Sequence, residues 1–194
     1  MGKNPQTKII QTSHTAELSQ RFGRKTKQLI DSTDYKDVFP ETGLQADSKA
    51  AGRWDTSEGG EYFAAGVGGA ITGRGADLLI IDDPHSEQDA LSDSAMEGAY
   101  EWYTSGPRQR LQPGGAIVLV MTRWSTIDLT GQLIKAQTEP KADQWEIVEF
   151  PAIMDSGKPT WPEYWKLSEL ESVKASLAVG KWNAQWMQQP TAEE

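Results

Sequence analysis

The chain has 194 residues, a length that suits one domain or one domain with a small appendage, and a formal net charge of −9. That charge excludes a surface that binds DNA non-specifically as a whole, so any nucleic-acid contact has to be local or supplied by an assembly. The absence of cysteine excludes disulfides and thiolate metal sites; the two histidines, His14 and His85, are far apart in sequence and do not suggest a His-rich metal site. No apolar run approaches the roughly 20 residues of a membrane span, and Met1-Gly2-Lys3 does not open a signal peptide, so a soluble, intracellular protein is expected.

In chain order, Thr7 to Ser13 (TKIIQTS) reads as a strand. Thr15 to Ile30 reads as a helix with Leu18, Phe22, Leu29 and Ile30 as its apolar members and Arg21, Arg24, Lys25 and Lys27 around them, a solvated basic face or a contact with DNA or phosphate. Asp31 to Gly52 is polar and reads as a loop. Arg53 to Thr56 and Glu61 to Ala65 flank Ser57-Glu58-Gly59-Gly60 and read as a hairpin. Gly66-Val67-Gly68-Gly69-Ala70, followed by Gly73 and Gly75, permits close backbone approach or several positive φ angles. It is not a phosphate-cradling loop, because no Lys-Ser or Lys-Thr follows it into a helix.

The stretch ITGRGADLLIIDDP, Ile71 to Pro84, carries the strongest chemical signal. Leu78 to Ile81 is an apolar run too short for a helix and reads as a strand buried on both faces, with Asp82 and Asp83 at its carboxyl end. Open α/β sheets bind ligands at that edge. One carboxylate there suits a hydrated Mg²⁺ and its neighbour suits a water to be oriented or deprotonated, as in a Walker B strand; the plainer alternative is a core strand ending in an acidic turn. Arg74, between two glycines, suits either a reach into a neighbour's phosphate or a surface charge.

After a polar loop, Ser94 to Glu97 fits a capping box opening a helix with Tyr100, Trp102 and Tyr103, which Gly106-Pro107 breaks. Pro113-Gly114-Gly115 reads as a turn and Ala116 to Met121 (AIVLVM) as a second buried strand ending in Thr122-Arg123-Trp124. A helix is expected over about Ile127 to Ala136, a third strand over Trp145 to Phe150, and irregular chain over Pro151 to Trp165. A second capping box, Ser168 to Glu171, opens a helix to about Val179 that Gly180 stops, before a last short helix over Trp182 to Gln188 and a linker-like tail, Pro190 to Glu194. Strands alternating with helices predict an α/β fold with a mostly parallel sheet.

Several of these pieces, in this order, resemble the ATPase domain of a tailed-phage terminase large subunit, the motor that packages DNA into a capsid. They are KIIQTSHTAELSQRFGR, GRWDTSEGGEYFAAGVGGAITGRGADLLIIDDP, Trp102-Tyr103, RLQPGGAIVLVMTRWSTIDLTG and WNAQWMQQP, over about residues 5 to 190. The resemblance implies a partial P-loop NTPase fold of the additional-strand type, ATP and Mg²⁺ as cofactors, and specific roles. Asp82 becomes the Walker B ligand to Mg²⁺, and Asp83 stands where a catalytic carboxylate, often Glu, activates water. Thr122 matches the coupling motif that senses the γ-phosphate. Arg74 matches an arginine proposed to act in trans on a neighbouring subunit, where a guanidinium neutralises charge on the transferred phosphoryl group. Arg123 and Asp128 lie in the matched RW…DL stretch and read as a structural pair. The implied partners are double-stranded phage DNA, the portal protein, the small terminase subunit and further copies in a ring, with the motor in the host cytoplasm at the procapsid portal and no membrane.

Two departures qualify the resemblance. Asp at position 83 is one methylene shorter than Glu, and a displacement near 1 Å costs about 10²-fold where a reactant must be positioned. More importantly, the pattern G-x-x-x-x-G-K-[ST] occurs nowhere; Gly23-Arg24-Lys25-Thr26 lies inside an expected helix, with Leu18 five residues before Gly23. The phosphate-binding loop and first strand are expected to be missing, which leaves an unpaired apolar edge along Ile117 to Val120. The expected organisation is a partial ATPase core over 1–150 and a helical segment over 151–194 that leads toward an absent nuclease domain: a middle fragment, inactive without Walker A from elsewhere. The alternatives are a non-catalytic remnant or interaction module that binds the portal or small subunit, and a metal-dependent nuclease on Asp77, Asp82 and Asp83.

Overall fold

The computed structural model describes residues 1–48 and 50–191. Its contacts divide the chain into two compact units, Met1–Ser86 with Gly98–Met121, and Glu87–Glu97 with Thr122–Glu194. The first holds an α/β fold whose five-stranded sheet has the order β2-β3-β1-β4-β5. The strands are β1 (Lys8–Ser13), β2 (Arg53–Asp55), β3 (Glu61–Gly66), β4 (Ala76–Asp82) and β5 (Leu111–Val120). All neighbouring pairs are parallel except β2 with β3, which form the expected hairpin.

Helix α1 (Ala16–Asp31) packs on β1 and β3. Its seam is built of small residues rather than large ones. Ser19, Gly23 and Ile30 are buried, whereas Leu29, expected on the apolar face, is exposed. A Cβ at Gly23 would lie 2.6 Å from the Ala51 carbonyl oxygen and 2.7 Å from the Tyr62 ring, so only glycine lets the helix approach this closely. The Gly23 carbonyl accepts from the Trp54 indole at 3.1 Å, and Trp54 stacks on Tyr62 at 4.9 Å between ring centroids. Gly23-Arg24-Lys25-Thr26 is thus a packing element, with Arg24 and Lys25 exposed.

The expected loop from Asp31 to Gly52 contains a second helix, α2 (Thr33–Val38). Ser32 closes one helix and opens the next: its N–H donates to the Leu29 carbonyl, and its hydroxyl accepts from the Tyr35 N–H. High polarity hid a helix that needs only Tyr35 on the core.

The helix expected to open at Ser94 is α3 (Asp93–Ser105), and the capping hydroxyl is that of Ser92, which accepts from the Ala95 N–H. It breaks at Gly106-Pro107 as expected. The predicted turn at Pro113 to Gly115 is instead part of β5. The ladder steps from Ala76 opposite Leu111 to Leu78 opposite Ala116, so Pro113-Gly114-Gly115 is absorbed as an irregularity, with Gly114 at φ +78°.

β5 is an edge strand. Register puts Leu79 beside Ile117 and Ile81 beside Leu119 on one face, and Ile80 beside Val118 and Asp82 beside Val120 on the other. Leu79 and Ile81 are fully buried, but Val118 and Val120 are 45% and 55% exposed. No charged residue occurs from Leu111 to Thr122, so the open edge lacks the charges that usually protect one.

The second unit carries 15 acidic and 7 basic residues, a formal −8 of the chain's −9. It contains α4 (Leu129–Ala136), α5 (Leu167–Ser176) and a π-helical turn, Trp182–Trp186. α5 begins one residue before the expected capping box: the Glu169 carboxylate accepts from the Lys166 N–H at 2.9 Å. Gly180 does not stop it; the helix ends at Ser176 with Leu177 as its C-cap, and Gly180 lies in a following helical turn, Val179–Lys181. The strand expected over Trp145 to Phe150 does not form. Alternation qualifies a segment for a sheet, but a strand also needs a neighbour, and among the described residues of this unit the only β-pairing is the isolated bridge Ile153–Pro159. Ile147, Val148 and Phe150 are accordingly exposed. Of the tail, Ala192 to Glu194 lie outside the described residues.

Candidate functional site

From β1 the chain runs through α1 toward β3 on one side of the sheet; from β4 it runs through α3 to β5 on the other. Connections that leave adjacent parallel strands in opposite directions open a crevice at their carboxyl ends, the place where such sheets bind ligands. Here the strand order puts that switch point at the end of β1, Ser13-His14, and the end of β4, Asp82-Asp83.

Asp82 is the last residue of β4 and is half-buried. Partial burial, and then the adjacent Asp83 carboxylate, push its pKa above the ordinary carboxylate value, while His14 pulls in the opposite direction. Asp83 has φ +44°, in the left-handed region that non-glycine residues seldom occupy. Its backbone is held from both sides: its N–H donates to the Val120 carbonyl at 2.9 Å, and its carbonyl accepts the His14 N–H at 2.9 Å. The His14 ring nitrogen Nδ1 lies 3.1 Å from the same carbonyl. Ser13, fully buried at the end of β1, has a hydroxyl with no hydrogen-bond partner among the described residues.

A carboxylate whose charge is disfavoured by burial and by a neighbouring acid, as that of Asp82 is, suits a divalent cation. Among the described residues no cluster of three or more His, Cys, Asp or Glu forms a protein cage for a metal. Mg²⁺ needs none: it is commonly held by one or two carboxylates, with waters and substrate phosphates completing its shell. Asp82 fits that role, and Asp83 is placed beside it.

Arg74 and Asp77 lie at the opposite end of β4 from this edge. Arg74 precedes the amino end of β4, and the seven residues of that strand span about 23 Å. Its guanidinium pairs with Glu61 and sits 4.0 Å from the centroid of the Phe63 ring. Burial and nearby Arg53 both disfavour its charge, and Asp55 favours it. Asp77 also lies at the amino end, where its carboxylate accepts the Lys8 N–H at 2.8 Å. The three carboxylates of the nuclease alternative therefore do not converge. Thr122 follows β5 by two residues in the chain and belongs to the second unit. Within that unit, Arg123 and Asp128 form the expected structural pair, with Nε to Oδ2 at 2.9 Å. Asp128 is fully buried, accepts also from the N–H groups of Trp124, Ser125 and Gly131, and caps α4. The backbone N–H of Arg123 donates to the Gln188 side chain, itself at φ +59° just beyond the π-helical turn.

Sequence inspection passed over His14. Its signal was positional: it is the residue between the last position of β1 and the N-cap Thr15 of α1. Among the described residues, no helix is long and apolar enough to cross a membrane. No protein-family model matches the chain, and no curated protein does.

Proposed function

We propose that this chain is the Walker B part of a terminase-like ATPase motor, in which ATP hydrolysis drives phage double-stranded DNA through the portal into a procapsid. The observation that carries the reading is the Asp82–Asp83 pair at the carboxyl end of the interior parallel strand β4, at the switch point of the strand order where such sheets bind ligands. Asp82 would hold Mg²⁺, which when bound would supply positive charge against the phosphates, and Asp83 would orient the attacking water. Thr122, the residue after Met121 beyond β5, is assigned to γ-phosphate sensing on the family resemblance, and Arg74 to action on a neighbouring subunit. The latter requires release of its pairing with Glu61.

The phosphate-binding loop comes from a segment outside these 194 residues. The open edge of β5 and its bare Val118 and Val120 suit an added strand and its helix. Contact with DNA falls to local basic positions such as Arg21, Arg24 and Lys25 on α1, because the second unit is strongly acidic. The portal protein, the small terminase subunit and further copies in a ring at the host-cytoplasmic face of the procapsid complete the assembly.

The test is ATP turnover by the chain alone and with a polypeptide supplying an apolar strand and G-x-x-x-x-G-K-[ST]. Activity is expected only in the mixture, and only with Asp82 intact. Robust turnover by residues 1–194 alone refutes the division of the site. A second reading, a non-catalytic module that docks on the portal or small subunit, is favoured by the same uncharged β5 edge; it predicts partner binding that is indifferent to Asp82→Asn and Asp83→Asn.

A further inference from the structure

The structure fastens His14 to the acid pair. The β1–α1 connection is minimal. Ser13 ends the strand, and the Thr15 hydroxyl already accepts the Leu18 N–H to cap the helix. His14 is thus fixed between two regular elements. Its backbone N–H continues the β1–β4 ladder one step past the strands, to the Asp83 carbonyl. Its Nδ1 reaches the same oxygen at 3.1 Å. A carbonyl oxygen only accepts, so Nδ1 must carry the hydrogen; in the neutral ring, Nε2 is then the bare nitrogen.

The backbone that this contact holds is an unfavourable one. A left-handed conformation crowds the Cβ of an L-residue against its own backbone, with Asp among the more tolerant types. Pro84, next in the chain, restricts Asp83 further, since a residue before proline is pushed toward extended backbone. Three hydrogen bonds converge on Asp83 to keep it there: one from its N–H to Val120, and two to its carbonyl from His14. Strain of this kind persists only where neighbours over-determine it, and it sets the direction in which the side chain leaves the backbone.

We propose that His14 is a positioning residue of this site, locked as the Nδ1–H tautomer by the Asp83 carbonyl and holding Asp83 in the left-handed conformation that aims its carboxylate. His14 touches neither metal nor nucleotide in this role; it acts through Asp83. Its relevance to catalysis rests on the ATPase reading, whereas the clamp itself does not.

The experiment is NMR on the full chain. Long-range ¹H–¹⁵N correlations of the imidazole rings, recorded at about pH 8.5 where free imidazole is neutral, report the tautomer. The His14 signal is identified by its loss in His14→Asn. Asparagine places a side-chain N–H near the position of Nδ1, whereas His14→Ala removes the donor. The expected results are an Nδ1–H tautomer for His14, an Asp83 ¹³Cα shift of left-handed type in the wild type and His14→Asn, and a changed shift in His14→Ala. Affinity for Mn²⁺, read by broadening of the Asp82 and Asp83 signals, should fall about tenfold in His14→Ala and recover in His14→Asn. An Nε2–H tautomer in the wild type overturns the proposal, and that measurement stands even where His14→Ala fails to fold. An alanine variant with unchanged Asp83 shift and Mn²⁺ affinity also overturns it. Absence of Mn²⁺ binding in the wild type instead counts against the ATPase reading, while the tautomer and the Asp83 shift still decide the clamp.

Discussion

Asp82 ends β4 in the first unit and Asp128 caps α4 in the second, and their surroundings are opposite. Asp128 is fully buried and saturated: a guanidinium and three backbone N–H groups meet its two oxygens. Asp82 is half-buried beside another carboxylate, which raises its affinity for a proton. A saturated acid is part of the framework. An acid set against a like charge on a strained turn costs stability, and it makes sense where a cation or a reaction repays that cost.

The contrast can be broken most decisively at Asp128. Removing one partner of a buried pair strands the other, so Asp128→Ala should destabilise the protein by about 3–5 kcal/mol, read from denaturant midpoints. A loss below about 1 kcal/mol would show that the pair is not structural. At Asp82 the large effect should be on activity. In the reconstituted assembly, Asp82→Asn should lower ATP turnover by about 10²-fold or more, because a metal contributes several kcal/mol to the transition state.

Asp77 sharpens the comparison from the other end of β4. Asp77→Asn weakens one charge-assisted hydrogen bond to the Lys8 N–H, so thermal unfolding should report a loss of about 1 kcal/mol, with turnover unchanged. A collapse of turnover would mean that the amino end of the strand takes part in the chemistry.

The smallest effect is the pH dependence of Asp82→Asn. The folded state holds this group's proton more tightly than the unfolded chain does. Below the unfolded value of about 3.9 both states are protonated and the wild type carries no penalty. As pH rises through the folded value both become ionised, and the penalty is complete. Asp82→Asn should therefore raise Tm at neutral pH, with the gain shrinking toward zero below about pH 4. Added Mg²⁺ should narrow that gap by stabilising the wild type alone.

Strand β4 and its acids were legible because they are a local pattern: four apolar residues bounded by glycine and proline and ending in two carboxylates. The hairpin of β2 and β3 and the break at Gly106-Pro107 were legible for the same reason, since turn chemistry lies within a few residues. Helix α2 was not, because its stability comes from the double use of Ser32 and from Tyr35 meeting a core assembled from distant segments. The absorbed Pro113-Gly114-Gly115 and the unpaired Trp145 to Phe150 failed in the opposite sense: local pattern was judged without knowing the neighbour.

By itself the sequence determined the type of each strongly periodic element, the absence of a phosphate-binding motif, and the acids that end a buried strand. Tertiary structure decided which strands are neighbours, and with that everything that depends on adjacency. It set β5 at an open edge, sent Arg74 and Asp77 to the far end of β4, and brought His14 to Asp83 across 69 residues of chain. The physical reason is range. Propensity, capping and alternation act over one or two turns of backbone, whereas a hydrogen bond between the ends of two strands exists only once the sheet has chosen its order.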